Sequence, residues 1–411
     1  MAALKTEEHP TESQSTPNAG AGVVPPGLKV IPTHRYDPRS DDEITSWLQK
    51  RHPVTSEKNI WAFWDSGFSN MPPWIQRNVI SWVRRLGPDW TVHLLNGIPE
   101  SETYARHYID DALLPKAFVN NTMDGKHKGT HQSDVIQLPL LFLYGGVWMD
   151  VGTMLFRHID DICWKQIEDA ESPYEIWGFH LRYVMVNTFI GCKSGNPFIK
   201  RWLDMFLGLW EDATNTIGFH RKESFAKLPH ITSPSPELTA GDMIDYGAHV
   251  ACINLVRDSV DESSGWNGVE YYKKHMLLHD GEKEMALLQA LTAWDGKLEF
   301  ELLSRKRSGE GAVVDESWVA ADELVQNVIT NSALLKLSHG PKGMFRYTLA
   351  CFWDREENHD ADVAPGTFAE YLRFASLHYE QTRVLEATAG EDLVKETPDY
   401  NAFQDKCGHD G

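Results

Sequence analysis

Hydrophobic and polar positions follow two different periods along this chain, and the switches between them mark out its elements. Ser40 to about Arg51 (SDDEITSWLQKR) carries a helix-entry signature, with Ser40 or Asp41 leading and acidic residues in the first turn. Asn59 to Trp64 (NIWAFW) reads as the first core strand. Pro72 then opens a helix, PPWIQRNVISWVRRL, with Ile75, Val79 and Trp82/Val83 on one stripe. Trp90 to Leu95 (WTVHLL) alternates as a strand. Strand, helix, strand in that order predicts a βαβ unit and a partly parallel sheet.

The densest information lies in residues 131–153, HQSDVIQLPLLFLYGGVWMDVGT. Val135, Leu138 and Leu141/Phe142 recur at helical spacing, Ser133 is placed to cap that helix, and Pro139 should kink it. Gly145-Gly146 punctuates the run as a helix C-cap would, and Val147-Trp148-Met149 rises as a short strand that delivers Asp150 at its end. A carboxylate at the end of a buried strand sits where α/β sheets bind ligands, so Asp134 and Asp150 are expected to face one site. Further on, after Glu175–Phe179, Asn196-Pro197 reads as a turn, and the next helix should bury Phe198, Trp202, Met205/Phe206 and Leu209 as core. Residues 212–270 are broken by Gly, Pro and Ser and predict loops and short helices on the substrate side. An amphipathic helix follows Pro365, and there is no internal repeat.

Composition narrows the function classes. The 411 residues are 42% hydrophobic and 11% aromatic, with fifteen tryptophans, as a globular chain with a large core would be. A net charge of −20 argues against nucleic acid and anionic membrane as partners. Cys163, Cys192, Cys252, Cys351 and Cys407 are odd in number and lack CxxC spacing, which predicts reduced thiols and no zinc site. The first residues lack the apolar core of a signal peptide, and the longest apolar run is too short to span a bilayer. Cytoplasmic residence is the expectation. Lys126, His127, Lys128 and His131 form a small basic cluster that is either a solvated loop or a phosphate contact.

The ordered set IWAFWDSG, PPWIQRNVISW, HQSDVIQLPLLFLYGGVWMDVGT, NTFIGCKSGNPFIKRW and LLKLSHG resembles the capsular-polysaccharide-synthesis-type glycosyltransferases. These are relatives of the DxD-containing sugar transferases and, more distantly, of the large clostridial toxin glucosyltransferases. The likeness covers about 70% of the chain, from Ile60 to about Phe345. It implies an α/β fold of GT-A type, a single Rossmann-like nucleotide-diphospho-sugar transferase domain over residues 58–345. A disordered tail (1–35) and a short helical lead-in (36–57) would precede it, and a helical C-terminal extension with a polar tail (346–411) would follow.

The resemblance also assigns roles. It implies a nucleotide-sugar donor, a small soluble acceptor that could be a specialised metabolite, and Mn²⁺ or Mg²⁺. Asp150 matches the first aspartate of the DxD and would hold the cation, which offsets the charge of the departing diphosphate. Asp134 would bind the donor's sugar hydroxyls, with Ser133 beside it. Trp64 would stack on the nucleobase, Asn187 would contact donor or acceptor, and His339 would give a late metal or diphosphate contact. Two positions depart from the family pattern. Gly152 stands at the second acidic position, so a carboxylate restored there should add a metal ligand. Gln137 stands where many relatives carry a donor-binding arginine, so an arginine there should strengthen the hold on donor. These departures keep open a second class, a GT-A scaffold that has lost sugar transfer and serves as a binding protein or a repurposed biosynthetic enzyme.

Overall fold

The computed structural model describes residues 24–181, 184–226, 228, 239–339 and 347–394. Its strands are β1 (Leu28–Val30), β2 (Asn59–Phe63), β3 (Thr91–Leu95), β4 (Gly146–Met149), β5 (Thr153–Leu155) and β6 (Ile176–Leu181). They continue with β7 (Val184–Cys192), the short pair β8 (Val260–Asp261) and β9 (Trp266–Asn267), β10 (Met276–Asp280), β11 (Leu334–Lys336) and β12 (Tyr379–Gln381). The helices that matter for the site are α1 (Asp41–Leu48), α2 (Pro73–Leu86), the one-turn α3 (Lys116–Val119), α4 (Lys128–Tyr144) and the one-turn α5 (Lys165–Glu168). After them come α6 (Pro197–Trp210), α7 (Ala240–Tyr246) and α8 (Ala248–Arg257).

The central sheet has the order β10-β6-β7-β4-β2-β3. Strands β3, β2 and β4 are mutually parallel, as are β6 and β10, and β7 runs antiparallel to both β4 and β6. The sheet is therefore mixed, and the βαβ unit expected from residues 59–95 is present as β2–α2–β3. Both faces are covered, which is why β2 is buried at every residue instead of alternating with solvent. Ile60 and Ala62 point into one core with α1 and α2, and Trp61 and Phe63 into a second core with α4, α6 and α8.

Three local expectations change. The helix around residue 135 begins at Lys128, because His131 already donates to the His127 carbonyl at 3.0 Å. Ser133 thus sits inside α4, where no orphan amide needs its hydroxyl, and does not cap it. Burial from Asp134 through Leu141 is continuous, so α4 is covered on all sides and not along one stripe; it runs through Pro139 and ends at Gly145, whose φ of 64° fits the expected C-cap. Residues 24–35 are not disordered as expected for 1–35: Leu28–Val30 pairs antiparallel with Gln381–Tyr379. Residues 1–23 of that expected tail lie outside those described.

The described part of the C-terminal region packs against α2. In the helix Phe368–His378, Arg373 donates to the Trp74 carbonyl at 2.8 Å and to Asn78 Oδ1 at 3.0 Å, both on α2. Arg85 of α2 meets Glu380 of β12 at 3.1 Å with both side chains almost wholly buried. A buried pair such as this makes removal of either partner expensive, since a lone charge would remain.

Candidate functional site

The parallel strands β2 and β4 end at one edge of the sheet, and the reversed strand β7 begins there. Sequence order alone would not bring Trp64, Asp150 and Asn187 together, and this topology does. Asp150 follows β4 directly, and its amide donates to the Thr188 carbonyl of β7 at 3.2 Å. The neighbouring Asn187 donates its side-chain amide to Asp134 Oδ1 at 3.0 Å. The two carboxylates expected to share a site are thus joined through two consecutive residues of one strand. Tyr246 of α7 reports the same proximity: burial raises its pKa first, and the charges of Asp134 and Asp150 raise it further.

Asp134 is 6% exposed, and a carboxylate so buried must be satisfied. Besides Asn187, His131 approaches Oδ2 through Nδ1 at 3.3 Å, and His131 Nε2 meets Thr216 Oγ1 at 3.1 Å. Of the basic cluster, then, His131 is neither solvated loop nor free phosphate contact. Asn187 spends its second N–H on His249 Nδ1 at 2.9 Å. Desolvation between Trp202 and Phe206 depresses the His249 pKa to about 4, against the pull of Asp134, so this ring is neutral near pH 7 and accepts that bond.

Gln137 lies one turn along the same helix and is 1% exposed. Its amide donates to the Asn187 carbonyl at 2.6 Å. Gln137 is thus closed off from solvent and already engaged, and an arginine in its place would enter a space with little room for it. Burial sets a cost against the expected benefit of Gln137→Arg.

The loop after Asp150 is gripped from three sides. Asn78 donates to the Val151 carbonyl at 3.1 Å, Trp82 to the Thr153 carbonyl at 2.9 Å, and the Leu337 amide to the Gly152 carbonyl at 2.8 Å. The last contact continues the antiparallel β5–β11 pairing, in which Thr153 faces Lys336. It also explains Gly152. A β-carbon there would stand 2.2 Å from the Leu337 carbonyl oxygen, so a restored carboxylate has no room. The expectation that Gly152→Asp would add a metal ligand is corrected on that ground.

Asp150 itself already has cationic and polar partners. Trp148 Nε1 donates to Oδ1 at 3.1 Å, and the Lys336 ammonium lies 3.0 Å from Oδ2. His339 is three residues beyond Lys336, but its ring is held by Asp354 at 2.6 Å, and Trp74 Nε1 holds the other carboxylate oxygen at 2.8 Å. Among the described residues, no three His, Cys, Asp or Glu side chains gather as a metal site would need. Trp64 is half-buried at the end of β2, and its indole N–H has no acceptor among the described residues. Ser133 is half-buried within α4.

Lys336, Tyr246 and His249 carry much of this geometry without having been assigned roles from sequence, and His131 carries it in a way the basic-cluster reading did not anticipate. The one available signal for Lys336 was a lysine interrupting the apolar strand Leu-Leu-Lys-Leu. Among the described residues, no helix is long and apolar enough to cross a membrane, and Cys163, Cys192, Cys252 and Cys351 are free thiols.

Comparison with known proteins gives a consistent result. Residues 39–221 match the family described as capsular polysaccharide synthesis protein. The O-glycosyltransferase braB of Annulohypoxylon truncatum is 51% identical over 383 residues, covering 90% of this chain and 91% of that protein. The glycosyltransferase afumC of Aspergillus fumigatus is 44% identical over 369 residues, covering 86% and 94%. Among solved structures, the PaToxG glycosyltransferase is 17% identical with a TM-score of 0.28, covering 41% of this chain and 66% of that one.

Proposed function

This chain belongs to the glycosyltransferases of the capsular polysaccharide synthesis family, and from that premise we propose that it moves a sugar from a nucleotide-sugar donor to a hydroxyl of a small acceptor of the specialised-metabolite kind. The reading includes a GT-A arrangement and cytoplasmic action. The observation that carries it is the convergence of Asp134 and Asp150 on Asn187-Thr188 at the strand-end edge of the sheet.

In the reaction, the bond between the anomeric carbon and the donor's diphosphate oxygen breaks, and its electron pair leaves with the diphosphate. The acceptor oxygen bonds to that carbon and gives up its proton to solvent or a nearby base. Trp64, half-buried at the end of β2, would offer a flat face to the nucleobase. Asp134, fixed by Asn187 and His131, would accept hydrogen bonds from sugar hydroxyls without needing to reorganise. Asn187 would orient that carboxylate, and Gln137 would orient Asn187.

The departures at Gly152 and Gln137 do not favour a scaffold that has lost transfer. Each has a local reason, the Leu337 carbonyl in one case and the Asn187 carbonyl in the other. A divalent cation fits the described residues around Asp150 poorly, because among them there is one carboxylate already engaged by an ammonium. No step is therefore assigned to a metal.

The test is direct. Wild-type protein incubated with UDP- and GDP-sugars and a panel of hydroxylated small molecules should release nucleoside diphosphate in step with a sugar-sized mass gain on one acceptor. Saturating UDP and GDP should also raise the unfolding temperature of the protein. If neither nucleotide stabilises the fold and no acceptor gains mass, the proposal is wrong.

A further inference from the structure

Gly152 marks the place where a second acidic side chain would begin, and what lies there instead is a cation. A β-carbon built at Gly152 would stand 3.5 Å from Lys336 Nζ as well as 2.2 Å from the Leu337 carbonyl oxygen. The same ammonium sits 3.0 Å from Asp150 Oδ2. A positive side chain and its backbone have taken the space in which a second carboxylate would complete a cation site.

Lys336 is not a surface lysine that swings into the site by chance. Its amide donates to the Met285 carbonyl at 3.0 Å, and Gln289 donates to its carbonyl at 2.9 Å. Its residue is paired with Thr153 across β5–β11. Its side chain is 11% exposed, whereas that of Asp150 is 31% exposed, so the pair opens toward solvent on the Asp150 side. An ammonium on a fixed strand needs little reorganisation when negative charge arrives, and in a partly buried site its field is weakly screened.

Resting on the glycosyltransferase reading above, we propose that Lys336 contacts the donor's diphosphate and supplies the positive charge that the departing group requires, with Asp150 as the residue that holds the ammonium in place. Lys336 is then a catalytic residue for the transfer, and Asp150 acts through it. Charge builds on the diphosphate oxygen as the bond to the anomeric carbon breaks, and an ammonium beside that oxygen favours the transition state over the bound donor. The lysine does not change its covalent state, and the electron pair leaves with the diphosphate.

Titration calorimetry with UDP and with GDP, each in EDTA and each in Mn²⁺, tests this on the full chain. The proteins are wild type, Lys336→Met, Lys336→Arg and the double variant Asp150→Asn/Lys336→Met. The double variant removes both charges, so a folding defect caused by a stranded carboxylate is separated from a loss of binding. For the nucleotide that binds, wild-type affinity should change less than threefold between EDTA and Mn²⁺. Lys336→Met and the double variant should bind at least tenfold more weakly while keeping the wild-type circular dichroism spectrum, and Lys336→Arg should retain part of the affinity. Affinity that appears only with Mn²⁺, or a folded Lys336→Met or double variant that binds as tightly as wild type, overturns the role of Lys336 and leaves the transferase reading standing. Absence of binding by the wild type under both conditions overturns the donor reading itself, and this inference with it.

Discussion

The sharpest prediction concerns Gly152→Ala. The new methyl would stand 2.2 Å from the Leu337 carbonyl oxygen, a backbone atom that cannot move without dragging β11. Forcing a methyl into a packed backbone contact costs about 1–3 kcal/mol. Displacing Leu337 also strains its 2.8 Å hydrogen bond to the Gly152 carbonyl, whose loss adds about 1 kcal/mol. The total is about 2–4 kcal/mol. Unfolding entropy of about 2.1 cal/mol/K per residue over 411 residues gives about 0.9 kcal/mol per degree, so the midpoint should fall by about 2–5 °C. Because the strand that moves carries Lys336, nucleoside-diphosphate affinity should drop in the same variant. Scanning fluorimetry with and without UDP and GDP reads both effects. Gly152→Asp should be worse on both counts and gain no Mn²⁺ affinity. An unchanged midpoint in Gly152→Ala, or tighter Mn²⁺ binding in Gly152→Asp, would refute the steric argument.

Other changes probe the supports of the site. Gln137→Leu removes the donor to the Asn187 carbonyl and should cost about 1–3 kcal/mol in urea unfolding; Gln137→Arg, which forces a guanidinium into a site 1% exposed, should destabilise further and bind nucleotide no better. A rise in nucleotide affinity for the arginine variant would show that position 137 does reach the donor. Arg373→Met breaks the tie from the C-terminal helix to Asn78, which in turn holds Val151, so about 3 kcal/mol should be lost together with nucleotide affinity. Loss of stability with intact binding would separate that helix from the site. The His93 pKa is depressed to about 3 by burial first and by His52 second, so the folded ring stays neutral while the unfolded chain takes up a proton below about pH 6.5. Its stability contribution is complete above pH 6.5 and lost progressively down to about pH 3, and His93→Phe should reduce the pH slope in that window by up to about 1.4 kcal/mol per unit. Urea midpoints measured from pH 7 to 4 check this, and an unaltered slope would mean that His93 is not the titrating group.

The sequence by itself determined the local elements and the placement of Asp150 at a strand end. Capping chemistry at Ser40, the proline entry to α2 and the Asn196 cap before α6 act within a few residues, so their signals are complete in the chain. Asp150 at the end of β4 was legible for the same reason: a glycine pair, three apolar residues and an acid lie side by side. What tertiary structure decided is everything that depends on which surfaces meet. The reversal of β7 brings Asn187 between Asp134 and Asp150, and no residue pattern within β7 announces its direction. Ser133 looked like a cap because the helix start upstream is polar and carries no capping side chain. The meaning of Gly152 and Gln137 lay in atoms 185 and 50 residues further along the chain, respectively: the Leu337 carbonyl excludes a side chain from the first, and the Asn187 carbonyl occupies the second. A missing carboxylate and a missing arginine read as losses in one dimension. In three dimensions each meets a backbone carbonyl that packs against it, and the cation beside Asp150 is Lys336, on a strand that only folding brings there.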